Sequence, residues 1–300
     1  MIKIVTDSVA SIPASVARKA GIDIITLYVN RDGVEHADAE MDLDAFYADI
    51  YAMVDNIPLS SQPSQHTFEE IFEKAAQAGD QVLGIFISSG LSGTCEGALR
   101  AARAVKARNI DFEYRIIDSA SCGYDEAWPV FDAVRARDGG ADLDGCAQAV
   151  LEGIESTRFL FTPETLTFLQ KGGRIGAAAA LVGNLINLSP VLSVVDGLAT
   201  PIAKVRTRKK ALDKMVALFR DDIEKLGLKN VVVHYIGDKA PAVAWARDVI
   251  EPLIGRTVDV LPVSPVIGLH VGPAVGLAYE CAQALAGKLM TPVQTRLSTS

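Results

Sequence analysis

The sequence predicts an α/β protein of two domains, with a parallel sheet in the first and a mixed sheet in the second. Three observations lead there. Short apolar runs with polar tips recur in the first half: Ile2–Val5 before Thr6-Asp7-Ser8, Gln81–Ile87 before Ser88-Ser89, and Tyr114–Ile117 before Asp118-Ser119. Helical segments alternate with these runs, and strand–helix alternation implies parallel pairing through right-handed crossovers. Later the pattern changes to a hairpin, Val191–Val195 and Leu198–Lys204 over Asp196-Gly197. A boundary near Gly153–Thr157 divides the chain into domains 1–155 and 156–300.

The elements follow in order. Ile2–Val5 reads as a buried strand, and Ile22–Val29 as a second. Over Asp42–Met53, Leu43, Phe46, Tyr47 and Ile50 share one helical face. Leu59-Ser60-Ser61-Gln62-Pro63-Ser64 is a polar turn before an amphipathic helix over about Thr67–Ala78. The strand Gln81–Ile87 leads through Ser88–Thr94 into a helix over Cys95–Arg108, and a further helix starts near Glu126. In the second half, a helix around Pro163–Gln170 precedes Lys171-Gly172-Gly173-Arg174. Ile175–Leu188 suits a buried helix, Lys209–Lys225 an amphipathic one and Ala240–Ile250 another. Val231–Ile236 and Val258–Pro262 read as strands. Val266–Val271 is expected as a strand with His270 at its end, and Gly276–Leu285 as a final helix.

Composition narrows the function. A net charge of -8 and a pI near 5.1 argue against nucleic-acid binding, which needs a basic face. The start lacks the apolar stretch and cleavage site of a signal peptide. The most membrane-like stretch, Ile175–Val195, carries Asn184, Asn187, Ser189 and Pro190, so buried protein is expected rather than a transmembrane segment. Cys95, Cys122, Cys146 and Cys281 are scattered, which suits reduced thiols in a cytoplasmic protein. His36, His66, His234 and His270 form no ligand-spaced pair, so no metal is expected.

Two regions carry chemistry. After Arg174 the next charged residue is Asp196, so the segment between them could line a deep apolar cavity. The paired glycines place Arg174 at an exposed bend. A cation at the mouth of an apolar cavity suits an amphipathic acid. The second region is the set of strand tips: Thr6, Asp7, Ser8, Ser60, Ser61, Ser88–Thr94, Asp118 and Ser119. Ligands bind at that edge of an α/β sheet, although each residue could equally cap the next helix. Ser88–Thr94 puts hydroxyls and backbone N–H groups at a helix start, an anion pocket. It ends in no Gly-Lys-Ser/Thr, so it is no Walker loop. Thr94 stands where a Gly-x-Ser-x-Gly elbow needs glycine. His270, between Gly268 and Gly272, is either structural or a hydrogen-bonding partner for an acid head group. Arg206 and Arg208 are either a solvated face or, with Arg174, a docking surface for an acidic partner.

Taken together, the segments VTDSVASIP (5–13), SSQPS (60–64), ISSGLSGT (87–94), IDSAS (117–121), LQKGGRIG (169–176), DG to KVRTRKKAL (196–212) and IGLHVGP (267–273) resemble the DegV family. These are fatty-acid-binding subunits of bacterial fatty acid kinase. The resemblance spans essentially the whole chain. It implies a long-chain fatty acid held between two domains, with the carboxylate on Ser60, Ser92, the Gly93 N–H and His270. It implies no cofactor and no catalytic residue. Arg174 would face a separate ATP-dependent fatty acid kinase subunit, which makes acyl phosphate for phospholipid metabolism. The family commonly has Thr where Ser60 stands. It also usually has a second glycine where Asp125 stands, so Asp125 and Trp128 are expected to reshape the cavity. Two other readings remain open. One is a stand-alone hydrolase or phosphotransferase using Ser92, with His270, or the Asp7/Asp118 pair. The other is a carrier of a different amphiphilic acid, such as a retinoid or sterol acid.

Overall fold

A computed structural model describes residues 1–181, 188–286, 288 and 296–299. The first half runs β1 (Ile2–Asp7), α1 (Ala14–Ala20), β2 (Ile22–Ile25), β3 (Tyr28–Arg31), β4 (Val34–Ala37), α2 (Leu43–Asp49) and β5 (Leu59–Ser61). It continues with α3 (Gln65–Gln77), β6 (Gln81–Phe86), α4 (Thr94–Arg108), β7 (Tyr114–Asp118), α5 (Tyr124–Asp138) and α6 (Leu143–Ser156). The second half holds β8 (Thr157–Pro163), α7 (Thr167–Lys171), β9 (Ser189–Val195), β10 (Leu198–Val205), α8 (Arg208–Leu226) and β11 (Leu228–Ile236). It closes with α9 (Ala240–Trp245), α10 (Glu251–Ile254), β12 (Asp259–Pro262), α11 (Pro265–Val271), β13 (Ala274–Cys281) and β14 (Leu297–Thr299).

The first sheet has the order β14-β7-β6-β1-β2; β7, β6, β1 and β2 pair in parallel and β14 joins antiparallel at the edge. Side chains alternate between its faces, as strand pleating requires. Ile4, Leu83, Ile85 and Ile117 pack with α5 and α6, while Val5, Val82, Phe86 and Ile116 pack with α3 and α4. Covered on both faces, these strands read as continuous apolar runs. The second sheet, β10-β9-β8-β13-β11-β12, is antiparallel except for the parallel β11–β12 pair. A small sheet, β4-β3-β5, completes the set. The helix α5 touches strands of both large sheets.

Several elements differ from the sequence reading. Ile22–Val29 is two strands in two sheets, broken where the Leu27 N–H donates to Ser8 Oγ (3.0 Å). Val266–Val271 lies in a helix: Ser264 caps it by accepting from the Val266 N–H, and Pro265 takes its first position. Gly276–Leu285 falls instead in β13 and the turn after it. All eight residues of β13 are buried, which removes the alternation that marks a strand. Pro163–Gln170 spans the end of β8 and most of α7, and neither β8 nor α6 was foreseen. Of the expected helix Ile175–Leu188, Gly176–Leu181 is a short 3-10 helix, and residues 182–187 lie outside the described residues.

Candidate functional site

The loop after β6, expected from sequence to form an anion pocket, is held from three sides. Asp7 Oδ2 accepts from the Ile87 N–H (2.9 Å), and Ser88 Oγ donates to the Gly197 carbonyl (2.9 Å) in the β9–β10 turn. Arg174 Nε donates to the Leu91 carbonyl (3.0 Å). A Cβ on Gly197 would overlap Ser88 Oγ, and one on Gly90 would lie 2.7 Å from the Gly197 carbonyl oxygen. Glycine at both positions lets the two halves of the chain meet there.

The loop ends at the start of α4, where Ser92 Oγ accepts from the Thr94 N–H (3.3 Å) and sits 2.8 Å from Thr94 Oγ1. The Gly93 N–H finds no acceptor among the described residues. A fifteen-residue helix thus points its positive end at this corner.

His270 arrives from the other half. Asp38 holds the start of α11 by accepting from Ser264 Oγ (2.9 Å) and the Val266 N–H (3.0 Å). Tyr47 Oη donates to the Val263 carbonyl (2.7 Å). In the last turn of α11, His270 Nε2 lies 2.8 Å from Ser60 Oγ on β5. Burial, and then the Arg174 charge, pull the imidazole down to about 4, so it is neutral near pH 7. The glycines around His270 do not open a path for a ligand. A Cβ on Gly268 would meet the Tyr47 ring at 2.6 Å, and one on Gly272 would overlap the Phe168 ring.

Between these groups lies a cavity of about 380 Å³. Ser60, Ser61, Gln62, Ser92, Gly93 and His270 give its polar side. Leu27, Ile87, Leu169, Val194 and Ile267, with Phe159 and Phe161 from β8, give apolar walls. Arg174 is the one charged residue among the described residues that line it. It is half-buried rather than exposed, because its guanidinium also donates to the Gly172 carbonyl (2.7 Å).

The site residues read from sequence therefore divide. Ser60, Ser61, Ser92, Gly93, Arg174 and His270 share one cavity. Thr6, Asp7, Ser8 and Ser119 lie off its wall. Thr6 Oγ1 donates to Glu126 (3.4 Å), Asp7 caps the turn at Val9 (2.9 Å), and Ser119 Oγ donates to the Ser121 carbonyl (3.2 Å). Burial pushes the Asp7 carboxyl up to about 7 and raises Glu126 strongly. Arg206 is exposed, and Arg208 pairs with Glu164; neither lines the cavity.

Among the described residues, Ser92 makes no hydrogen bond to an imidazole and His270 Nδ1 is buried without a partner, so these residues assemble no nucleophile–base–carboxylate triad. Asp125 and Trp128 do not line the cavity. Asp125 is buried against Lys288 Nζ (3.0 Å), so its side chain serves the C-terminal segment instead. Of the segment between Arg174 and Asp196, Val194 is the lining residue among those described. Phe159, Phe161, Gln62 and Cys122 were missed. The sequence signal for Gln62 is its place in the SSQPS segment; in the structure a Cβ on Gly93 would overlap its amide oxygen.

The described residues contain no helix long and apolar enough to cross a membrane, and no cluster of His, Cys, Asp or Glu that could hold a metal ion. The fold and cavity define an α/β protein of two large sheets and one small one, with an apolar, polar-rimmed pocket built from both halves of the chain. A family model described as "Uncharacterised protein, DegV family" matches residues 1–281, and the chain belongs to the DegV family. A DegV domain-containing protein of Clostridium perfringens is 36% identical over 284 residues, covering 93% of this chain and 98% of its own. Among solved structures, one titled for fatty acid binding of a DegV family protein from Thermus thermophilus is 29% identical. Its TM-score is 0.80, with 93% of this chain and 99% of that chain covered. DegV of Bacillus subtilis, titled a fatty acid binding protein, is 26% identical with a TM-score of 0.82, covering 93% and 99%.

Proposed function

We propose that this protein binds a long-chain fatty acid between domains 1–155 and 156–300 and presents its carboxylate to a separate ATP-dependent kinase subunit. The observation that carries this reading is the single cavity that joins an apolar wall to Ser60, Ser92, the Gly93 N–H, Arg174 and His270. A buried acyl tail gains about 0.8 kcal/mol per CH₂, while the head group needs hydrogen bonds to leave water. The hydroxyls, the free N–H and the start of α4 supply them. Fatty-acid binding by the DegV proteins of Thermus thermophilus and Bacillus subtilis supports the same ligand class.

The protein itself is a carrier in this reading, without cofactor or catalytic residue, and works in the cytoplasm. The kinase transfers the phosphoryl group from ATP to the carboxylate, giving acyl phosphate and ADP. Arg206 and Arg208, with Arg174 at the cavity mouth, form the docking surface for that subunit.

Organic extraction and mass spectrometry of the purified protein test the carrier reading. A stoichiometric long-chain acid, released on denaturation, is expected. An empty protein that takes up no fatty acid overturns it, and a sterol or retinoid acid would redirect it. Hydroxylamine trapping of acyl phosphate, with kinase subunit and ATP added, tests the presentation step separately.

A further inference from the structure

A second chamber, about 20 Å³, adjoins the main cavity, and Phe159, Phe161, Ile267 and Val271 line both. His234, on β11, forms part of its wall and is 1% exposed. Its Nδ1 lies 3.0 Å from the Leu261 carbonyl oxygen. A carbonyl only accepts, so Nδ1 carries the proton and Nε2 presents a lone pair. Burial pulls the imidazole down to about 4, which keeps the ring neutral.

Nε2 is buried and has no partner among the described residues. It lies near Gly123 and beside chamber residues Val263 and Ile267: a Cβ on Gly123 would lie 3.8 Å from Nε2 and 3.9 Å from both Ile267 Cδ1 and Val263 Cγ1. The Tyr124 and Phe159 rings flank the imidazole, with centroids 5.4 and 5.5 Å away. An unmet acceptor in an apolar wall is costly, and its natural complement is a hydrogen-bond donor.

We propose that this chamber selects an acyl chain bearing a hydroxyl group, whose O–H donates to His234 Nε2. The proposal rests on the fatty-acid reading above and adds the chemical class of the chain. A keto or carboxyl oxygen would find only a second lone pair there. A lone water fits the volume but needs two to four polar partners. Besides His234, only Tyr235 among the described lining residues has a polar side-chain atom. A chain hydroxyl needs one acceptor for its one proton, and the carbons beside it satisfy the aromatic walls.

Displacement of a fluorescent fatty acid by matched competitors tests this. The probes are an unsubstituted saturated acid and hydroxy acids of the same length, with the hydroxyl moved from mid-chain to the terminus. One positional isomer is expected to bind the wild-type protein roughly tenfold more tightly than the unsubstituted acid. The ratio is expected to fall to near one in His234→Asn, which keeps a donor toward Leu261 and lacks the atom at Nε2. Equal binding of all the acids by the wild type overturns the proposal and leaves the fatty-acid reading standing. Binding of none overturns both. A preference that survives in His234→Asn overturns the role of His234. If that variant fails to fold, the wild-type ratio alone decides.

Discussion

Ser60 Oγ and His270 Nε2 lie 2.8 Å apart although 210 residues separate them in the chain. The pair joins the small sheet to α11 at the polar end of the cavity, so each residue fixes the other's orientation. Ser60→Ala removes the partner of His270 and, in the carrier reading proposed above, one head-group donor. Fatty-acid affinity is expected to fall roughly tenfold or more, the weight of a hydrogen bond to a charged group. Fluorescent displacement measures it, and unchanged affinity would remove Ser60 from the site.

Gly172 tests the same pair from behind. Its φ of -76° suits any residue, but a Cβ there would overlap His270 Nδ1. Gly172→Ala is therefore expected to displace the imidazole and weaken binding while the protein stays folded. Gly173→Ala is the control. Its Cβ would meet nothing within 4 Å, but φ is +71°. Thermal melting should show a loss of about 1 kcal/mol for that change, with binding retained.

The two arginine regions should separate in a paired assay. Arg174 bonds the carbonyls of Leu91 and Gly172 and lines the cavity. Arg174→Ala is expected to weaken acid binding as well as turnover with the kinase subunit. The exposed Arg206, changed to Ala, should impair turnover only. Reduced turnover with normal binding in both variants would return Arg174 to a docking role alone.

The buried pair Asp125–Lys288 should be costly to break from one side. Lys288 is 2% exposed, and its Nζ also donates to Thr157 Oγ1 (2.6 Å). Lys288→Ala leaves a buried carboxylate without its cation and is expected to cost about 3 kcal/mol in urea unfolding. The double change with Asp125→Ala should recover much of that. A cost near that of an exposed pair, about 0.5 kcal/mol or less, would refute the role of this contact.

His234 gives a pH signature. Its pKa falls from 6.5 to about 4 on folding, so the unfolded chain binds the extra proton between those values. The stability it contributes is present above pH 6.5 and is lost as pH falls toward 4. The loss is about 3 kcal/mol for a group so deeply buried. Wild type minus His234→Asn should show this difference across that window. A flat difference would mean that His234 is not buried neutral.

Much of the α/β order was legible because it is local. Strand tips such as Thr6-Asp7-Ser8 and the loop Ser88–Thr94 show as polar stops after apolar runs. The hairpin over Asp196-Gly197 shows through its turn chemistry: both residues have positive φ, 50° and 81°. The misread elements are those where burial erased the period. All of β13 is covered, and α11 is short and apolar, so an apolar run alone could not separate helix from strand. The Ser264-Pro265 cap was the available signal for α11.

By itself the sequence determined the parallel half-sheet, the polar start of α4 at Ser92-Gly93 and the glycine turn that carries Arg174. Propensity, capping and turn chemistry act over a few residues, and they are written in the chain. Only the tertiary structure decided that His270 meets Ser60, that Phe159 and Phe161 wall the cavity, and that Asp125 turns to Lys288. Those relations depend on how sheets stack and how helices cross, which sums weak contacts between residues more than a hundred positions apart. No short window of sequence contains that sum.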